Sequence, residues 1–89
     1  MDMLLEYDEA VDAAYLTLSD APWDHQVRLD DARGINYAVD GAVIGIELLS
    51  PRHKGVLLDG LPFPADVARV VRSVGFRVIE RPEGAAISA

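Results

Sequence analysis

Apolar and polar positions alternate with a period of two through most of the first half of the chain, the mark of half-buried β-strands. Two stretches show it most clearly, Leu4 to Ser19 and Ile35 to Leu49. In the second, Asp40-Gly41 has the composition of a two-residue hairpin turn, because glycine tolerates positive φ and aspartate bonds its own backbone. That turn sets Val39 opposite Ala42, Tyr37 opposite Ile44 and Ile35 opposite Ile46, all apolar and on one face. A slip by one residue would mix the faces. The first stretch has a looser loop, Glu9 to Asp12, and pairs Tyr7 with Ala14, Leu5 with Leu16 and Met3 with Leu18. Between the hairpins, Gln26-Val27-Arg28-Leu29 predicts a short strand. Asp20-Ala21-Pro22 and Asp30 to Gly34 flank it as connections, since aspartate and proline are poor strand residues.

The period changes after Leu49. Ser50 to Gly55 reads as a loop and Val56-Leu57-Leu58 as a brief extended piece. From Pro64 to Gly75 the spacing is helical, with Val67, Val70, Val71 and Val74 at i, i+3, i+4 and i+7. Pro64 suits the first turn, Asp66 the positive end of the helix and Gly75 its exit. Phe76 to Glu80 predicts a last short strand. The expected fold is α+β: a mainly antiparallel sheet of five to six strands with one helix, about residues 64–74, on one face. That helix should dock its valines on Leu5, Leu16, Leu18, Tyr37, Ile44 and Ile46. Residues 1–81 should form one domain, and the Gly- and Ala-containing residues 82–89 a flexible tail.

A chain of 89 residues buries about 60–65% of its unfolded surface, enough for one core. Apolar residues make up 51%, too many for a disordered chain. The absence of cysteine removes disulfides, thiolate nucleophiles and thiolate metal sites, and fits a reducing compartment. The opening residues lack the basic start and apolar stretch of a signal peptide. No run has the length of a membrane helix. The expectation is a soluble, cytoplasmic protein that engages no membrane. The net charge of −7 repels phosphate backbones and argues against nucleic acid. It suits docking on a basic partner protein.

Candidate chemistry is sparse. Asp8, Glu9 and Asp12 crowd one turn and could hold a hard cation, but their spacing is not that of a calcium loop, and aspartates also cap turns. Asp24-His25 suggests a base with an orienting carboxylate, yet neighbours on a strand point to opposite faces. His53 sits between Arg52 and Lys54, the one basic cluster, and neither histidine has a partner at metal-ligand spacing. No serine lies in a Gly-x-Ser-x-Gly elbow, and no phosphate loop follows Gly41 or Gly45. Gly45 suits a bulge or close approach of a ring such as Tyr15. Glu47 is expected to pair with Arg33 or Arg52. No catalytic residue, cofactor or metal ligand is assigned.

The motif Tyr7-Asp8-Glu9-Ala10-x-Asp12-Ala13-x-Tyr15-Leu16-x-Leu18-Ser19, followed by Asp40-Gly41-x-Val43-Ile44-Gly45-Ile46-Glu47-Leu48-Leu49, resembles the small bacterial domains of unknown function family DUF2283. The likeness spans roughly residues 3–50 and leaves the helix outside. It implies a compact antiparallel β fold and carries no activity, catalytic residue or cofactor. Some members lie beside small toxin-like proteins, so it implies a partner-binding or antitoxin-like role. The sequence itself supports a non-enzymatic interaction or regulatory module. The alternative is a small-ligand or metal-binding domain, or a small enzyme, built on Asp8 and Asp12. The second sheet face, with Leu4, Ala13, Tyr15, Ala38, Val43 and Leu49 diluted only by Glu6, Thr17, Asn36 and Glu47, is apolar enough to predict a homodimer through that face or an edge strand, unless the loop around Trp23 or the residues after Ile79 fold back over it. Tyr15, Val43, Leu49, Leu4 and Trp23 are its candidate interface residues.

Overall fold

A computed structural model describes residues 2–80. The expected tail at 82–89 lies outside the described residues. The chain runs β1 (Leu4–Asp8), β2 (Ala13–Thr17), β3 (His25–Asp30), β4 (Arg33–Tyr37), β5 (Val43–Leu49), α1 (Pro51–Lys54), β6 (Val56–Leu57), α2 (Pro64–Ser73) and β7 (Val78–Ile79). The first five strands form one antiparallel sheet in the order β1-β2-β5-β4-β3. This is the expected α+β class. The terminal strand does not join that sheet. It pairs in parallel with β6, Val56 beside Val78 and Leu57 beside Ile79, as a separate two-stranded sheet.

The first hairpin has the register read from its alternation, with Leu5 opposite Leu16 and Tyr7 opposite Ala14. The second differs near its turn. The Gly41 amide bonds the Ala38 carbonyl, and the Ala38 amide bonds the Ala42 carbonyl. The loop is therefore Val39-Asp40-Gly41, with Gly41 at φ 87°, a three-residue turn closed by a left-handed glycine. Val39 does not face Ala42 but is 88% exposed. A bulge then restores the register: Tyr37 lies opposite Val43, not Ile44, while Asn36 meets Gly45 and Ile35 meets Ile46. The extra residue in β5 absorbs the slip introduced by the longer turn.

One face of the sheet forms the core. Leu16, Ile46 and Leu48 pack with Val56, Leu61, Val67, Ala68, Val71 and Phe76, with Leu5 and Leu18 at the margin. Tyr37 and Ile44, expected here, lie outside this cluster, because the bulge turns the end of the hairpin away. The buried helix stripe is Val67, Ala68 and Val71. Val74 is 43% exposed, because α2 ends at Ser73 and Val74 is only its cap. Gly75, at φ 88°, donates to Arg72 and Phe76 donates to Val71. These paired bonds close the helix end while Phe76 packs into the core with Val71.

The predicted loop at Ser50 to Gly55 contains a helical turn, α1. Asp12, remote in sequence, caps it: its carboxylate accepts the Arg52 and His53 amides at 3.1 Å each and the Tyr7 hydroxyl at 2.8 Å. Arg33, buried, donates to Asp30 at 2.8 and 3.0 Å and to the carbonyls of Leu57 and Asp59. It ties the large sheet to the segment leading into α2.

Candidate functional site

With α2 on one side, the other face of the large sheet carries no helix among the described residues. Cross-strand neighbours share a face, so the register defines its rows. Glu6, Tyr15, Glu47 and Gly34 form one row, and Asp8, Ala13 and Leu49 another. Leu4, Thr17, Gly45, Asn36 and Gln26 form the third.

Two glycines shape this surface. A Cβ at Gly45 would overlap the Tyr15 phenol, so glycine lets that ring lie across β5, as its sequence context suggested. The Tyr15 hydroxyl there accepts Asn36 Nδ2 at 2.8 Å. Asn36, only 8% exposed, accepts Gln26 Nε2 at 2.9 Å and the Trp23 indole N–H at 3.4 Å on its Oδ1. A Cβ at Gly34 would sit 2.7 Å from an Arg28 guanidinium nitrogen. The bare backbone lets Arg28 cross β4 and pair with Glu47. Glu47 therefore pairs with neither Arg33, which lies opposite Leu48 and so on the other face, nor Arg52, which is drawn over the Tyr7 and Phe76 rings. Asn36, Gln26 and Arg28 were not singled out in the sequence. The paired glycines Gly34 and Gly45 on neighbouring strands were the available signal.

This face is therefore more polar than its sequence pattern suggested. Of the candidate interface residues, Tyr15 and Leu49 lie on it half-buried. Leu4 and Trp23 are 61% and 62% exposed. Val43 is displaced: the bulge puts it opposite Tyr37, which alternates with Asn36 and so belongs to the other face. Ala38 is buried. Toward β1 the face opens into a shallow groove of about 810 Å³ lined by Glu6, Asp8, Glu9, Ala13, Tyr15 and Glu47. Carboxylates rim it on both sides of Tyr15.

The acidic turn is divided between two tasks. Asp8 Oδ1 accepts the Ala10 amide at 3.0 Å, while Asp12 caps α1. Partial loss of water pushes the Asp12 carboxyl up. The Tyr7 hydroxyl, the Arg52 and His53 amides and the Arg52 charge outweigh that and hold it below the ordinary carboxylate value. Asp30 is lowered similarly, its desolvation outweighed by Arg33 and the Ala32 amide. Among the described residues, no three His, Cys, Asp or Glu side chains form a metal-ligating group. Arg52 is drawn over the Tyr7 and Phe76 rings, 5.3 and 5.5 Å from their centroids. Asp24 and His25 do pair, at 2.8 Å, because Asp24 precedes the strand and escapes its alternation. The His25 ring stacks on Tyr37 at 5.1 Å.

No helix among the described residues is long and apolar enough to cross a membrane. No curated protein and no solved structure matches the chain. The family model described as "Protein of unknown function (DUF2283)" matches residues 5–50, the span of the five-stranded sheet, and the chain belongs to that family.

Proposed function

We propose that this domain is a non-enzymatic protein-interaction module whose open sheet face receives a partner with a basic surface. The observation that carries this reading is the groove beside Tyr15, with the carboxylates of Glu6, Asp8 and Glu9 on its walls beside Glu47, itself paired with Arg28. The chain's net charge of −7 adds long-range attraction for such a partner and speeds encounter. Asn36 and Gly45 hold the Tyr15 ring in place, so little order is lost when a partner packs on it. Asp12 serves the fold rather than a substrate, which leaves the enzyme and metal readings without their main residue. An antitoxin-like role, in which the domain masks a basic protein in the cytoplasm, is the form suggested by the family resemblance.

Capture from extracts of the native host tests the proposal. The wild-type domain should enrich a basic protein that a Glu6→Lys, Glu9→Lys bait fails to hold. A partner held equally by both baits would overturn it.

The exposure of Leu4 and Trp23 on this side favours a second reading, a homodimer through the same face. Light scattering at tens of micromolar separates the two: a monomer mass supports the basic-partner reading, and a dimer split by Tyr15→Glu supports self-association.

A further inference from the structure

Among the described residues the large sheet ends in two edge strands, β1 and β3, and they differ. β3 shifts register between Arg28 and Asp30. Its Arg28 folds back onto the carbonyls of Asp30 and Asp31 at 3.1 Å each. Bulges and folded-back charges are how sheets close an edge to further pairing. β1 has neither device. Its five residues keep unbroken register with β2 and contain no proline, glycine or lysine. Every second residue of an outer strand points its amide and carbonyl away from the sheet. Nothing else pairs with β1 among the described residues.

The side chains of β1 specify what fits there. Leu4, Glu6 and Asp8 are exposed and alternate with Leu5 and Tyr7, which pack at the margin of the core. Glu6 and Asp8 also line the groove beside Tyr15. A strand laid along β1 would set one alternate set of side chains against these carboxylates and the other against the apolar margin. A second copy of this chain fits poorly, because pairing β1 with itself brings the acidic Glu6 and Asp8 of each copy toward the other, and like charges across strands destabilise. We infer that β1 accepts an extended segment of a partner protein by strand addition, with basic residues facing Glu6 and Asp8 and apolar residues between them. This rests on the basic-partner reading and gives it a geometry.

The probe is a synthetic peptide of alternating lysine and valine, titrated into the isotopically labelled full chain and followed by NMR. The expected result is shifts centred on residues 4–8, with slowed exchange of alternate β1 amides. The same peptide N-methylated at alternate residues should bind at least about tenfold more weakly, since it keeps charge and loses the backbone ladder. Glu6→Lys, at an exposed position, should weaken the unmodified peptide about tenfold. Equal affinity for both peptides, with shifts at Tyr15 and Glu47 but not along β1, would overturn strand addition and leave the basic-partner reading standing. No binding at millimolar peptide would overturn strand addition, with host capture judging the broader reading independently. Protection, in the peptide-free protein, of the β1 amides that point away from β2 would also overturn it, showing the edge already paired by its own chain or a second copy.

Discussion

Val71 and Val74 lie on one helical stripe in the sequence but have different fates in the fold. Val71 is fully buried in the core against Phe76, whereas Val74 caps the helix with 43% of its surface exposed. Val71→Ala removes two buried methyl groups, a transfer loss of about 1.6 kcal/mol. The cavity left behind raises this to about 2–3 kcal/mol. Alanine's better helix propensity returns about 0.5 kcal/mol. The net loss of about 2 kcal/mol should lower Tm by roughly 8–16 °C in a domain of this size. Val74→Ala removes groups that remain largely in water and should cost less than about 0.5 kcal/mol. Thermal and urea melts of both variants, with m-values checked for constancy, measure the contrast. Equal shifts in the two variants would refute the docking described here, as would an unchanged Val71→Ala.

Three other outcomes follow from the side-chain contacts. Gly45→Ala forces Tyr15 off β5 and should cost roughly 1–3 kcal/mol; Tyr15→Ala in the same chain should recover part of that, read as non-additivity in a double-mutant cycle. The lowered native pKa of Asp12 makes its stabilisation complete above the ordinary carboxylate pKa and lost as pH falls through the native value. Asp12→Asn, which still tolerates φ 49°, should therefore flatten the acid limb of a Tm–pH curve. Millimolar calcium, magnesium or zinc should leave Tm within about a degree, because Asp8 and Asp12 already serve backbone amides; a large shift abolished by Asp8→Asn with Asp12→Asn would contradict that.

Local patterns carried much of this structure into the sequence. The period-two alternation set the first hairpin, because burying one face fixes register, and Gly45 flagged the ring of Tyr15. What escaped was non-local or compensating. A longer turn at Val39-Asp40-Gly41 and a bulge before Gly45 nearly cancel, so the pairing of Ile35 with Ile46 emerged correctly from an incorrect turn. Arg28 reaches Glu47 only by crossing the bare backbone of Gly34 on the strand between them, a contact that alternation along single strands does not show, so Arg33 and Arg52 look like its partners in the sequence. Asp12 looked like a turn residue because its capped helix begins far along the chain. The second face looks apolar in the sequence because Tyr15 counts there as an apolar ring, whereas its hydroxyl is tied to Asn36.

The central claim is that a basic partner occupies the acidic sheet face. Its most direct test is the dissociation constant between this domain and the protein it captures, measured by calorimetry from low to physiological salt. Wild type is set against Glu6→Lys and against Asp59→Lys, an equal charge change at an exposed position on the segment that leads to α2. The account predicts affinity that falls with salt, falls about tenfold further in Glu6→Lys and barely changes in Asp59→Lys. Equal losses in the two variants, or an affinity indifferent to salt, would contradict it.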